Sequence, residues 1–507
     1  MQAEGGKPIH RGLITVSIMV ATVMQVLDTT IANVALPSMM GDLSATQDTI
    51  TWVLTSYIVA AAIMTPVTGW VSDKYGRKEV FIVCIVGFVI ASMACGMATS
   101  LPEMVLFRLL QGVFGAAIVP LSQTILLDIN PPEKFGQAMA LWGAGIMVGP
   151  IVGPTLGGYL TENFSWRYVF YINVPIGILA VAGCAAFLPE SLRRARSFDF
   201  FGFAMLSLGV ASLQLLLDRG ASNDWFAATE SWIELGLAIT GFWVFIVQIL
   251  TSDHPFVDPA LFKDRNFVMG TTFGFVIGLV LYSSLALLPP MLSGIYGDPE
   301  MTVGLVMGPR GIGTMASMLV VGRLVQKFDP RYLVIVGLLL TAAAFHTMSG
   351  FSPEMDSLPV ITSGIVQGLG MGLVFVPLST VAFATLNAKL RAEGTSFFTL
   401  VRNIGSSIGI SVVTVVLTRN IQVSHSDLSQ NLSAYNPVLR SYFPAAAAGD
   451  PTLLKELDLY LVQVQSLMVS YVDDFKLMML VTLCAIPLAL TLKKPKGKAE
   501  AVHAAME

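Results

Sequence analysis

Residues 102–124 form one long apolar stretch, PEMVLFRLLQGVFGAAIVPLSQT, and a related stretch returns at residues 358–382 as LPVITSGIVQGLGMGLVFVPLSTVA. In both copies a Gln-Gly pair is followed by Val-Pro-Leu-Ser, at an offset of 256 to 257 residues. An α-helix needs about 20 apolar residues to cross a bilayer, and both stretches are long enough. The repeat therefore predicts two equivalent membrane helices in an internally duplicated membrane protein.

The composition of the whole chain agrees with a membrane protein. Its 507 residues are 54% hydrophobic and only 12% charged, whereas soluble domains carry about 25% charged residues. This excludes an ordinary soluble enzyme, a disordered protein and a collagen-like fibre. The net charge is -4 and the Lys and Arg residues are dispersed, so nucleic acid is not an expected partner. The four cysteines and five histidines lack metal-ligand spacing, and no metal site is predicted.

Apolar stretches of spanning length occur fourteen times along the chain. They cover residues 14–36, 51–71, 80–98, 102–124, 138–160, 168–188, 199–217, 231–250, 267–289, 302–322, 332–350, 358–382, 395–418 and 475–492. With the N-terminus in the cytoplasm, twenty of the 29 Lys and Arg residues lie on inner segments and six on outer segments. The positive-inside rule therefore predicts an all-α polytopic protein with 14 transmembrane helices and both termini in the cytoplasm.

The repeat also predicts how the chain is divided. Spans two, four and five match spans ten, twelve and thirteen, so the offset is eight spans rather than six. We therefore expect two six-helix halves, residues 1–190 and 261–507, separated by an inserted helix pair, residues 191–260. The second half includes a long outer loop, residues 419–474.

A carboxylate and a guanidinium lie inside the first half at matching depths. A charged residue in a span costs about 2.5–3.5 kcal/mol on insertion scales, so it is a functional candidate by default. Asp28 and Arg108 both lie about 9 Å below the outer edge of the hydrocarbon core, counted at 1.5 Å per residue. We expect them to pair and to form a proton-coupling site; the alternative is a static ion pair that only orders the bundle.

Two further motifs are candidates for conformational roles. The inner loop between spans two and three has the order G-x-x-x-D-x-x-G-R-K, in which Asp73 can pair with Arg77 and Gly76 can adopt a positive φ. The predicted gating residues are Gly69, Asp73, Gly76, Arg77 and Lys78. In span five, glycines recur every four residues beside two prolines, which favours a tightly packed helix that bends. The predicted hinge residues are Gly145, Gly149, Pro150, Gly153, Pro154, Gly157 and Gly158.

The second half carries counterparts of these residues near the same offset. They are Gln367, Gly368, Arg402, Gly405 and Gly409. The second-half loop after Gly322 lacks the acid-Gly-Arg order found in the first-half loop at residues 69–78.

The loop motif, the stretch from Arg108 to Gly112 and the Gly-Pro helix resemble the three signature motifs of the major facilitator superfamily. Together with LDTTIANVALP at residues 27–37 and WRYVFYINVPIG at residues 166–177, they resemble the 14-helix drug:proton antiporter branch, the EmrB/QacA type. The segment LDRG at residues 217–220 is similar to the Gram-negative EmrB subgroup.

This resemblance implies proton-coupled secondary-active export of lipophilic drugs across a bacterial inner membrane. It implies that the proton gradient is the energy source and that no cofactor is needed. It also implies a periplasmic adaptor protein and an outer-membrane channel as further partners. Three alternatives remain open: an exporter of a defined metabolite, a polytopic membrane enzyme and a non-transporting receptor. No phosphate-binding loop of the G-x-x-x-x-G-K-[ST] type is present, which excludes a built-in ATPase.

The outer loop contains one helical pattern. Leu453, Leu457, Leu461 and Val464 begin a series of apolar residues at three- and four-residue steps. We expect an amphipathic helix over residues 452–471 that lies on the membrane interface, on the transporter's outer mouth or on an adaptor protein.

Overall fold

The computed structural model describes residues 10–190, 193, 197–220, 223–430, 432, 441 and 457–492. Every regular element in these ranges is helical, so the prediction of an all-α protein is confirmed. The first half and the inserted pair contain α1 (Arg11–Asp42), α2 (Gln47–Ile50), α3 (Trp52–Met64), α4 (Val67–Tyr75), α5 (Arg77–Met97), α6 (Leu101–Gly115), α7 (Ile118–Ile129), α8 (Phe135–Ile146), α9 (Val148–Asn163), α10 (Tyr168–Tyr171), α11 (Asn173–Phe187), α12 (Phe200–Arg219) and α13 (Thr229–Thr251).

The remaining helices follow in the second half. They are α14 (Ala260–Lys263), α15 (Arg265–Ile295), α16 (Glu300–Leu324), α17 (Pro330–Met348), α18 (Leu358–Ala384), α19 (Arg391–Ser429), α20 (Gln463–Cys484) and α21 (Ile486–Ala489). Short 3₁₀ turns occupy Pro132–Lys134, Trp225–Ala227 and Ala388–Leu390, and a π-helical turn, Asp458–Val462, precedes α20.

All fourteen predicted spans fall on these helices. In the described part of the chain, 12 helices are long and apolar enough to cross a membrane, and the bent pair α3 and α4 raises the number to 13. The last predicted span coincides with α20 and α21, which are not among them. The protein is therefore a multi-pass membrane protein, and the count of fourteen stays a prediction.

Prolines explain why three of the spans are broken. A proline has no N–H and its ring clashes with the carbonyl four residues earlier, so the helix is interrupted near that carbonyl. The break between α6 and α7 comes four residues before Pro120, and the break between α8 and α9 comes just before Pro150. Pro66 separates α3 from α4, which meet at a bend of 58°.

The helices on either side of α12 and α13, the pair predicted to be inserted, repeat the same packing. In the first half α1 packs on α9, α3 on α6 and α5 on α6. In the second half the equivalent contacts are those of α15 with α19, α16 with α18, and α17 with α18. The two sets meet where α16 lies against α8 and α9, and where α19 lies against α4 and α7.

The inserted helices α12 and α13 pack on each other, and α12 also contacts α3 and α19. Two hydrogen bonds hold α12 in place. Thr55 on α3 donates to Asp218 at 2.6 Å, and Ser407 on α19 donates to Gln214 at 2.7 Å. The inserted pair is therefore attached to one helix from each side of the repeat.

The segment predicted as a long outer loop is partly helical. Helix α19 continues to Ser429 instead of ending near residue 418, and the chain is helical again from Leu457 into α20. His425 on α19 lies 3.4 Å from Asp458, so the two helices remain in contact outside the predicted span. A helix was expected over residues 452–471, and residues 457–471 are helical; residues 452–456 lie outside the described part. It is not a separate amphipathic helix, because it runs directly into α20 and buries Met468 and Tyr471 in the core.

Candidate functional site

Asp28 and Arg108 form a buried ion pair between α1 and α6, as predicted from their equal depth. The Nη1 of Arg108 lies 2.8 Å from Oδ2 of Asp28. Asp28 is 0% exposed and Arg108 is 1% exposed. Removing two such charges from water costs several kcal/mol per ion unless their hydrogen bonds are completed by the surroundings.

The surroundings complete most of these bonds. Gln111 donates to Oδ1 of Asp28 at 2.9 Å, and Asn173 donates to the same oxygen at 2.6 Å. Asn173 also donates to Ser92 at 2.9 Å. All three partners of the Asp28 carboxyl group are donors, which suits a carboxylate, whereas a protonated carboxyl group would also need an acceptor. The site is therefore arranged around the ionised form of Asp28.

The guanidinium of Arg108 is held on several sides. Its Nε donates to the backbone oxygen of Val53 at 3.0 Å, and its Nη1 donates to Gln111 at 2.8 Å. The rings of Tyr57 and Phe170 lie 4.6 and 5.7 Å from its carbon Cζ, within the range of cation–π attraction. These contacts come from α3, α6 and the α10 segment. Through Arg108, Asp28 on α1 is therefore linked to three neighbouring elements.

The predicted gating residues lie at the inner end of the bundle, which we define as the end that contains residues 69–78. Gly76 has φ +99°, so the predicted positive φ is confirmed. Arg77 lies 3.9 Å from Asp73, at the long limit of an ion pair. Lys78 donates to the backbone oxygen of Ala185 at 2.9 Å.

Gly69 allows a close approach between α4 and α19. A Cβ atom at this position would lie 2.9 Å from the backbone Cα of Glu393 and 3.1 Å from its nitrogen. Real Cβ atoms essentially never approach backbone atoms this closely. The contact between the two sides of the repeat therefore requires glycine at position 69.

Asp128, at the end of α7, completes the inner cluster. It pairs with Arg77 in the first half and lies 3.4 Å from Arg391 at the start of α19. The carboxylate thus bridges cations from both sides of the repeat. This ion triad and the Gly69 contact together join the two sides of the repeat at the inner end.

The glycine-rich helix packs on α1 through its four-residue repeat. Added Cβ atoms at Gly145, Gly149, Gly153 and Gly157 would meet Met19, Val26, Thr30 and Ile31. At Gly158 a Cβ atom would have no neighbour within 4 Å, so this glycine is not part of the seam. Pro150 follows the break between α8 and α9, and Pro154 lies inside α9. The seam therefore runs along α1 from Met19 to Ile31, the part of the helix that also carries Asp28.

The second-half counterparts make similar close contacts. Gly405 and Gly409 on α19 approach the backbone oxygens of Phe275 and Leu279 on α15, and Gly368 approaches Arg310. Gln367 is buried and donates to Ser284 at 3.1 Å. Arg402 is only partly buried, and its Nε has no partner among the described residues.

Sequence reasoning did not single out several residues of these clusters. Gln111 and Asn173 appeared only inside quoted motifs, and Arg391 was counted only as one of the charges on the inner side. Ser92 and Asp128 were not considered. The available signal was weak: each is a polar residue within or near the end of an apolar stretch, and its partner is distant in sequence.

Comparisons with known proteins identify similar sequences and a matching family. The chain matches the model of the Major Facilitator Superfamily over residues 18–412. The multidrug export protein EmrB of Haemophilus influenzae is 37% identical over 442 residues, 86% of this chain and 87% of that protein. EmrB of Escherichia coli K12 is 37% identical over 428 residues, 84% of each chain.

A solved structure supports the fold independently. The proton:xylose symporter XylE, a major facilitator protein, superimposes with a TM-score of 0.60. The alignment covers 96% of this chain and 99% of that one at 12% identity, so the likeness concerns the fold alone. The resemblance expected from the motifs is confirmed, and the chain belongs to the Major Facilitator Superfamily of transporters, in the family of the EmrB export proteins.

Proposed function

We propose that this protein is a proton-coupled antiporter that exports lipophilic, drug-like compounds from the cytoplasm. The multidrug export activity named for its relatives, 37% identical over most of both chains, supports the cargo class. The single structural observation that carries the coupling is the buried, donor-lined pair of Asp28 and Arg108.

The pair supports coupling for a physical reason. Asp28 takes donors from α6 and α11 while it is ionised, so protonation would remove the partner of Arg108 and loosen these contacts. Asp28 also lies on α1, directly beside the glycine seam of α9. Loading and release of a proton at Asp28 would therefore change how α1 packs on its neighbours, and no cofactor is needed because the proton gradient supplies the energy.

The inner ion triad supports a gating role for the loop at residues 69–78. We expect Asp128→Asn to lower turnover, because it removes the carboxylate that joins Arg77 to Arg391. Coupling free energies between two sites of a protein are typically about 1–3 kcal/mol, or about 5–150-fold, and we expect turnover to fall by a factor within that range. Initial rates of export in proteoliposomes measure it. Glu133→Gln, at the same end and without an ion pair among the described residues, is the matched control. Equal rates in both variants would contradict a gating role for the triad.

We further propose that the protein lies in a bacterial inner membrane with both termini in the cytoplasm. The distribution of Lys and Arg between the two sets of loops supports this orientation. The outer end of α19 and the π-helical turn before α20 form a helical projection, in contact through His425 and Asp458. This projection is a suitable surface for a periplasmic adaptor protein that leads to an outer-membrane channel.

Reconstitution in proteoliposomes tests the proposed function. We expect a pH gradient, imposed without ATP, to drive uphill movement of a lipophilic cation such as tetraphenylphosphonium. Protons should move in the opposite direction, so the lumen should become more alkaline as the compound enters it. Collapse of the gradient with an ionophore should stop it. Transport that ignores the gradient would contradict proton coupling, and a transporter that moves no lipophilic compound in a broad panel would contradict the cargo class.

A further inference from the structure

A second buried polar cluster lies in the second half and has no role in the mechanism above. Arg310 on α16 is 5% exposed, and Ser284 on α15 and Gln367 on α18 are 0% exposed. Arg310 donates through Nη2 to the hydroxyl oxygen of Ser284 at 2.9 Å, and Gln367 donates to the same oxygen at 3.1 Å. The hydroxyl in turn donates to the backbone oxygen of Leu281.

This cluster is the internal counterpart of the Asp28 cluster. Gln367 follows Gln111 by 256 residues, and Ser284 follows Asp28 by the same 256 residues. Gln111 donates to Asp28 just as Gln367 donates to Ser284. A serine therefore stands where the first half has its carboxylate.

The guanidinium has moved to another helix. The position 256 residues after Arg108 is Gly364, which leaves room for Arg310: a Cβ atom there would lie 3.4 Å from the Cβ of Arg310. Arg310 follows Tyr57 by 253 residues, the offset that also relates Gly69 to Gly322.

Close glycine contacts confirm this register. A Cβ atom at Gly112 would meet the backbone oxygen of Tyr57, and one at Gly368 would meet the backbone oxygen of Arg310. Arg310 thus replaces the aromatic residue that lies against Arg108 in the first half. The second half retains a buried guanidinium at this place, supplied from a different helix.

The charge balance of the two clusters differs. Arg108 is neutralised by Asp28, but no carboxylate lies within 4 Å of Arg310 in the part of the chain that the structure describes. The Nη1 of Arg310 is buried and has no hydrogen-bond partner there. A buried cation without a counter-ion is costly, and such intramembrane charges mark substrate or ion pathways.

We propose that Arg310, with Ser284 and Gln367, binds the anionic head of a lipophilic carboxylate, which takes the place that Asp28 occupies in the first half. This inference rests on the proposed export of lipophilic compounds and names one substrate class for it. Because the three side chains are buried here, the carboxylate enters from a state in which α15, α16 and α18 lie further apart. Arg310 offers a planar pair of donors that matches a carboxylate.

Binding of decanoate to the purified full-length protein tests the proposal. We expect Arg310→Gln to weaken decanoate binding about tenfold or more, since hydrogen bonds to charged groups are worth about 1.5–3 kcal/mol each. Ser284→Asp should weaken it as strongly, because the new carboxylate would occupy Arg310 as Asp28 occupies Arg108. Ser284→Ala removes one neutral hydrogen-bond partner and adds no charge, so it should weaken binding far less than Ser284→Asp, and Arg323→Gln is the control for loss of one cation from α16. Methyl decanoate, which lacks the charge, should bind equally to wild type and both charge variants.

Two further readouts make the result decisive. Tetraphenylphosphonium transport by the same variants reports folding and the general export function. If the wild-type protein binds decanoate but exports neither compound, the proposed export function is contradicted and the binding site is not. Unchanged decanoate binding in Arg310→Gln and Ser284→Asp would overturn the site. A copurified phospholipid, found by mass spectrometry in wild type and lost in Arg310→Gln, would assign the site to a lipid phosphate and would also overturn the carboxylate proposal.

Discussion

Asp28→Asn is expected to abolish export driven by a pH gradient while leaving a folded transporter that still exchanges substrate for substrate. The amide has nearly the shape of the carboxyl group but cannot carry a titrating proton. It also presents an NH₂ group to a site that contains three donors, from Arg108, Gln111 and Asn173. Proteoliposomes separate the two activities, because gradient-driven uptake needs the proton and substrate exchange does not.

The control is an acid on the same helix that lies outside this site. Asp42→Asn removes an exposed carboxylate at the outer end of α1, where Arg167 and Trp166 bind it, and gradient-driven export should continue. Gradient-driven export by Asp28→Asn at the wild-type rate would refute the coupling role.

A double variant distinguishes coupling from a static ion pair. Removing one partner of a buried pair costs about 3–5 kcal/mol, so Arg108→Gln alone, like Asp28→Asn alone, should give a folded but less stable protein. In the double variant Asp28→Asn, Arg108→Gln, both charges are absent and stability should recover in thermal unfolding. If the pair only orders the bundle, this neutral variant should transport normally; if Asp28 carries the proton, coupling should stay absent in spite of the recovered stability.

The sequence was informative wherever a bilayer restricts the choices. An apolar stretch of about 20 residues has one stable arrangement in lipid, so the positions of the helices followed from hydropathy. Asp28 and Arg108 could be paired because a helix fixes depth at 1.5 Å per residue, and two isolated charges at one depth have few other partners. The glycine seam followed from a four-residue period on one helix face.

What the sequence did not reveal depends on contacts between helices that are distant in the chain. Asn173 reaches Asp28 only because α11 packs on α1, and Asp128 joins Arg77 to Arg391 only when the two halves close at the inner end. Arg310 was visible as a cation within a span, but its serine partner could not be predicted. The second half differs from the first in two ways at once: a serine replaces the acid, and the guanidinium comes from a different helix. The sequence places the outer end of α19 in a loop because its polar residues lie beyond the apolar stretch, and it predicts the helix over residues 452–471 without its continuation into α20.

Gly69→Val is expected to hold the inner end of the transporter open and to reduce turnover strongly. The new side chain would meet the backbone of Glu393, which cannot rotate away, so α4 and α19 must separate. Overpacking of this kind costs about 1–3 kcal/mol, and that free energy shifts a two-state equilibrium by about 5–150-fold. The state closed at the inner end should therefore lose most of its population, since only that state makes the contact.

Spin labels at Lys134 and Lys327 can measure the shift, because both residues are exposed and lie on opposite sides of the inner closure, where Gln326 donates to the backbone oxygen of Glu133. Cys484 is the one native cysteine that is exposed, so the labels belong in a Cys484→Ser background. In Gly69→Val the distribution of distances between the labels should move to longer values, and in Gly12→Val it should not, since a side chain at Gly12 has no neighbour within 4 Å. An unchanged distribution in Gly69→Val, together with wild-type turnover, would mean that the close contact at Glu393 does not control the inner gate and that residues 69–78 serve only to orient the chain.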